Sequence, residues 1–190
     1  MPPTPHLQCT RTVALAHLAL LLALTPWGLA QCRQAATNRT IEEQSVQEAV
    51  LRSQMGNWCR NYDREDQEAA KRRGPEGPID MNFRTFLVQI SGRDPSAEFL
   101  KRFKDIPRKI KAGSNGRFDE KFYAGWLTDK DSHDRVIQFW VGQVEWVSEG
   151  NARTRGGYYC GVRCAAVYVF ELKKFAGKWT VKSAELKVIS

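Results

Sequence analysis

The apolar positions of this chain follow a helical period early and a two-residue period late. Early on, Val46, Ala49, Val50 and Ser53 share one helical stripe, which Leu51, Met55 and Trp58 widen. Thr40-Ile41-Glu42-Glu43 reads as a capping box, with Thr40 as N-cap and Glu43 reaching back to it, so the pattern predicts a helix over residues 40–57. Residues 83–90 carry apolar side chains on both faces, as a strand interior to a sheet does. Asp94 as N-cap and Pro95 at the first helical position predict a second, shorter helix. Phe99, Leu100 and Phe103 face the core from it, and Pro107 ends it.

The later pattern is that of strands. Residues 118–127 read as a short strand with Phe122, Ala124 and Trp126 on one face, and residues 129–134 as a turn. The strongest strand spans 135–147, where Val136, Trp140, Val144 and Trp146 alternate with Ile137, Phe139, Val141 and Val147. Glu149-Gly150-Asn151 turns the chain and residues 152–159 return it. Two more strands follow at 165–173 and 178–189, with a bulge expected at Ser183-Ala184, where the apolar parity shifts. Helix, strand, helix and then meandering strands make an α+β fold: an N-terminal helix and a second short helix packed on a curved antiparallel sheet of about five strands.

Two polar features shape the organisation. A mixed charge run from Asp63 to Arg73, followed by Gly74-Pro75-Glu76-Gly77-Pro78, predicts a flexible loop near 60–80. Residues 1–30 read as a secretory signal peptide: Arg11 before an apolar run over 13–24, Pro26, then small residues at Gly28 and Ala30. The mature domain is expected at 31–190, long enough for one core, in a secreted or periplasmic protein without a transmembrane segment. Leu29-Ala30-Gln31-Cys32 resembles a lipobox, which would anchor a lipid at Cys32, but Gln31 stands where Gly, Ala or Ser belongs. Cleavage before Gln31 is preferred. Asn38-Arg39-Thr40 matches a glycosylation sequon whose use depends on the host.

Beyond the leader the cysteines are Cys32, Cys59, Cys160 and Cys164, and an exported protein favours disulfides among them. Of three connectivities, Cys32–Cys59 with Cys160–Cys164 is preferred. On one straight strand Cys160 and Cys164 would stand about 13 Å apart, so their pairing needs a tight turn at Gly161-Val162-Arg163.

The C-terminal block carries a resemblance. Gly156-Gly157-Tyr158-Tyr159, then Tyr168-Val169-Phe170-Glu171, then Gly177-Lys178-Trp179-Thr180-Val181, with Asp94-Pro95-Ser96 upstream, resembles small exported bacterial proteins of uncharacterised function. Their helix-on-curved-sheet architecture is similar to nuclear-transport-factor-like and cystatin-like domains. The resemblance implies architecture only and brings no catalytic residue.

Composition narrows the chemistry. Of three histidines only His133 lies outside the leader, among Asp129, Asp131, Ser132 and Asp134, which reads as a solvated turn rather than a hydrolytic triad. Cys160 and Cys164 lack the paired short spacings of structural zinc, so no metal and no cofactor are expected. Asp119, Glu120, Glu145, Glu171 and Glu185 are available for carboxylate chemistry, but nothing in the sequence selects a pair. The chain is basic, with a formal charge of +8, and Lys101, Arg102, Lys104, Arg108, Lys109 and Lys111 oppose only Asp105. Such a cluster suits an anionic envelope polymer, while the leader argues against intracellular nucleic acid. Trp126, Tyr158 and Tyr159 are candidates for the rim of a ligand pocket. The leading expectation is an exported, non-catalytic domain that binds a small ligand or partner. An envelope-associated structural protein is the alternative, an Asp/Glu-dependent hydrolase is less favoured, and an exposed sheet face would serve a homodimer.

Overall fold

The computed structural model describes residues 26–69, 83–119, 125–162 and 164–189, apart from the side chains of 26–33, 35–36, 62–69 and 119. The elements run α1 (Pro26–Ala69), β1 (Thr85–Ile90), α2 (Ala97–Lys101), β2 (Lys109–Ala112), a 3-10 turn (Gly113–Asn115), β3 (Gly116–Asp119), β4 (Trp126–Asp129), β5 (Ile137–Ser148), β6 (Asn151–Gly161), β7 (Cys164–Phe175) and β8 (Lys178–Ile189). The chain divides into two units, Met1–Glu42 and Glu43–Ser190. Residues 26–42 of the first are helical, and the sheet with its core belongs to the second. Among the described residues no helix is long and apolar enough to cross a membrane.

The fold is α+β, two helices on a mostly antiparallel sheet. The main sheet has six strands in the order β2-β1-β5-β6-β7-β8, and β3 and β4 form a separate antiparallel pair. β5 to β8 are an antiparallel meander, whereas β1 runs parallel to both neighbours, β2 and β5. The sixth strand is β2, short and half-buried, lying in the basic segment that reads as loop in the sequence. Its Lys-Ile-Lys-Ala composition hides it: four residues are too few for alternation to register against a charged background.

Both helix starts differ from expectation. α1 runs from Pro26 among the described residues and leaves Thr40 inside the helix rather than at its cap. It also continues to Ala69 through a charge run whose Glu, Gln, Arg and Ala residues are good helix formers. For α2 the N-cap is Ser96, whose Oγ accepts from the Phe99 N–H at 3.2 Å. Asp94 instead accepts from the Ser114 N–H at 2.9 Å and ties the loop to the 3-10 turn. Residues 70–82, 120–124 and most of the leader lie outside the described residues, and with them Phe122, Ala124 and the Gly-Pro loop.

The core lies between the helices and one face of the sheet. Val46, Val50, Leu51, Met55 and Trp58 of α1 meet Phe86, Val88, Ile137, Phe139 and Val141, and Phe99 and Phe103 close the α2 end. Each such side chain, fully buried, stabilises the fold by about 1.5–3 kcal/mol. On the opposite face β3–β4 covers one end of the sheet through a smaller cluster of Leu87, Leu127 and Val136, with Tyr159 packed against it. Across β5 to β8 that face carries an open groove among the described residues.

Gly156 and Gly157 of β6 sit where the sheet is crowded from both sides. A Cβ on Gly156 would stand 2.9 Å from the Trp140 carbonyl oxygen and 3.0 Å from Gln54 Nε2, while one on Gly157 would meet the Trp140 indole nitrogen at 3.1 Å. The Cys160–Cys164 disulfide closes the β6–β7 turn, with Cα atoms 5.2 Å apart, as the tight turn at Gly161 requires. The register shifts on β8 fall beside Ser183 and next to Lys187, near the expected bulge.

Candidate functional site

On α1, Gln54, Asn57, Trp58 and Asn61 recur at i, i+3, i+4 and i+7 and share one face. That face meets the inner side of β6, β7 and β8, where Tyr158, Tyr168, Phe170 and Ala184 alternate inward. Between them lies a cleft of about 250 Å³ lined by these eight residues, none of which carries a charge.

The walls are aromatic. Trp58 meets Tyr158 edge-on with ring centroids 4.8 Å apart, and Phe83 and Phe139 back it at 5.8 and 6.2 Å. Tyr168 and Phe170 form a tilted pair at 5.8 Å on the far side. The polar groups of the lining residues are three carboxamides, the Tyr158 and Tyr168 hydroxyls and the Trp58 indole N–H. Gln54, only 7% exposed, donates from Nε2 to the Trp140 carbonyl oxygen at 3.2 Å, and Gly156 leaves the space for that reach. This fixes its Oε1, which is buried and accepts no hydrogen bond among the described residues. An acceptor desolvated without a donor costs about 1–3 kcal/mol, so a native fold keeps one where something else meets it. Asn57 Oδ1 accepts from the Arg60 guanidinium, which turns its Nδ2 donor outward from that bond.

The sequence-based candidates are distributed by strand period. Tyr158 lines the cleft, but Tyr159, the next residue, points to the opposite face and packs with Phe118 at 5.6 Å. Trp126 is also elsewhere, beneath the Arg135 guanidinium at 4.4 Å and against Gly161. The three therefore do not form one rim. Gln54, Asn57, Asn61 and Tyr168 were not anticipated. The signal for Gln54 was available: a polar residue on the apolar stripe, three after Leu51 and four before Trp58.

The basic candidates do not gather as six unpaired charges. Lys101 pairs with Glu98 at 2.7 Å, Arg102 with Glu48 at 3.2 Å, and Arg108 donates to the Pro107 carbonyl oxygen. Asp105 is taken by Arg52, whose guanidinium holds its carboxyl below the usual range. Lys111 stands 2.6 Å from the buried Asp129 and 2.7 Å from Asp131, which raise its pKa. Burial pushes the Asp129 carboxyl up, but Lys111 and the backbone N–H groups of Asp131 and Ser132 outweigh it and leave the pKa lowered. Lys104 and Lys109 are exposed.

Three of the acids, Glu145, Glu171 and Glu185, meet Arg153, Arg155 and Lys187 in an open groove of about 980 Å³ on the outer face of β5 to β8. Arg153 and Ser183 pull the Glu171 carboxyl down, opposite to what a general acid needs. The side chains of Asp119 and Glu120 lie outside the described residues. His133 accepts at Nδ1 from Arg117 at 2.8 Å, because a guanidinium only donates; a triad histidine would donate from that nitrogen. Among the described residues no cluster of ligating side chains could hold a metal. The Cys32–Cys59 pairing involves a side chain outside the described residues.

Fold and cleft together define an α+β domain with an uncharged cleft between helix and sheet. No family model, curated protein or solved structure matches this chain.

Proposed function

We propose that this chain is an exported, non-catalytic domain that binds a small uncharged ligand in the cleft between α1 and β6–β8. Gln54 carries the reading: a buried carboxamide, oriented by the Trp140 carbonyl, holds an unmet acceptor in a cleft walled by aromatic rings. Few polar groups converging within an apolar lining is how small-molecule sites are built. Export rests on residues 1–30 and agrees with a disulfide at Cys160–Cys164.

Side-chain amide resonances test the site directly. On addition of a library of small neutral fragments, the NH₂ signals of Gln54, Asn57 and Asn61 should shift together; shifts scattered over the surface would refute the cleft. Export has its own check. The protein produced with its own leader should begin at Gln31, and a mature chain that retains Met1 would remove the leader from the proposal.

A further inference from the structure

We infer that the occupant of the cleft is a single uncharged sugar ring, either free or at the end of a glycan. This rests on the cleft being a ligand site and names the class of ligand. With no charged side chain in the lining, a cationic ligand would lose hydration and meet no counter-charge, and the Arg60 guanidinium beside the cleft is already bonded to Asn57 Oδ1. Three carboxamides and two tyrosine hydroxyls in the lining both donate and accept, matching the double character of a ligand's hydroxyls.

Two of these groups have their roles fixed. Gln54 gives its N–H to the Trp140 carbonyl and offers Oε1 as a fixed acceptor for a ligand O–H. Asn57 gives Oδ1 to Arg60 and offers Nδ2 as a donor. The two residues are three apart, about 4.5 Å along the helix axis, a span that two hydroxyls of one ring can bridge. Opposite them, the tilted Tyr168–Phe170 pair walls the cleft with apolar ring surface against which the C–H face of a pyranose can pack. At about 250 Å³ the cleft is at the low end of small-molecule sites, room for one substituted six-membered ring. A planar aromatic ligand would satisfy the walls but would leave most of the carboxamide groups unmet.

The test uses the mature chain and saturation-transfer NMR backed by calorimetry. The probes are methyl glycosides of glucose, galactose, mannose, xylose and N-acetylglucosamine, the same sugars with free reducing ends, glucuronate, and benzamide. At least one neutral glycoside should bind, with glucuronate at least tenfold weaker than glucose or undetectable. Gln54→Met should weaken the bound sugar about tenfold, and Asn57→Ala should weaken it severalfold. Asn57 is exposed, so its variant keeps the fold and decides the matter if Gln54→Met fails to fold. Methyl glycoside and free sugar binding alike identifies the end of a glycan. Preference for the free reducing end identifies a monosaccharide.

If benzamide binds and shifts the Gln54 amide while no sugar does, the sugar class is overturned and the cleft survives as a site. Tighter binding of glucuronate than of neutral sugars also overturns the class. If no probe binds, or both variants bind as the wild type does, the sugar class and the cleft fall together.

Discussion

A Cβ added at Gly157 would stand 2.0 Å from the Ala166 carbonyl oxygen, inside the β6–β7 ladder, whereas one at Gly156 would press on Trp140, Gln54 and Phe170 from about 3 Å. The two glycines therefore predict different outcomes. Gly157→Ala should cost about 3 kcal/mol, the top of the overpacking range, because backbone must move. Gly156→Ala should cost about 1–2 kcal/mol and displace the Gln54 amide; urea unfolding measures both, and equal losses would contradict this division. A second residue-scale prediction concerns Lys111 and Asp129. The Asp129 carboxyl is lowered in the fold, so its contribution is complete above the unfolded carboxylate range and is lost as pH falls through the folded value. The Lys111 ammonium is raised, so its contribution is complete below the unfolded lysine value and fades only in strong alkali. Lys111→Met should therefore lower Tm at pH 7, with the deficit narrowing below about pH 4 as the lone carboxyl protonates. A deficit independent of pH would argue against the pair.

At the scale of elements, the disulfide closes a turn of few residues, so its effect on the unfolded chain is small, about 2 kcal/mol by the chain-entropy relation. Unfolding with and without reductant should differ by that amount. Mass spectrometry of the oxidised protein should find Cys160 joined to Cys164. β5 to β8 were legible in the sequence because each is long and alternates, and Gly150 and Gly177 turn the chain at positive φ where only glycine is unstrained. β2 was not, since a short strand of two lysines looks like the charged loop around it. The bounds of α1 differ from the sequence expectation for a related reason: a capping box and a charge run are local signals, and both also occur inside long helices. Tyr158 was legible as an aromatic near a turn. Its separation from Tyr159 follows from the period of two, which sends neighbours to opposite faces. Gln54 escaped because a glutamine on an apolar stripe reads as an interruption unless its partner, the Trp140 carbonyl, is in view.

For the molecule as a whole, β8 is the last strand of the sheet among the described residues, twelve residues long, with Leu186, Val188 and Ile189 exposed. Lys178, Lys182 and Lys187 stand along it, the kind of charge that keeps such an edge from pairing with another chain. Replacing Lys182 and Lys187 by Ile should turn the protein to concentration-dependent association in light scattering. A variant as dispersed as the wild type would show that the edge is guarded by something else. The cleft and the outer groove lie on opposite sides of this sheet, and at Gly156–Gly157 no side chain thickens the layer between them. Trp140 belongs to both sides: its carbonyl holds Gln54 in the cleft, and the residue lines the groove. Here the sheet is a diaphragm one peptide thick, and whatever moves the Gln54 amide pulls on the same residue whose indole faces the far side.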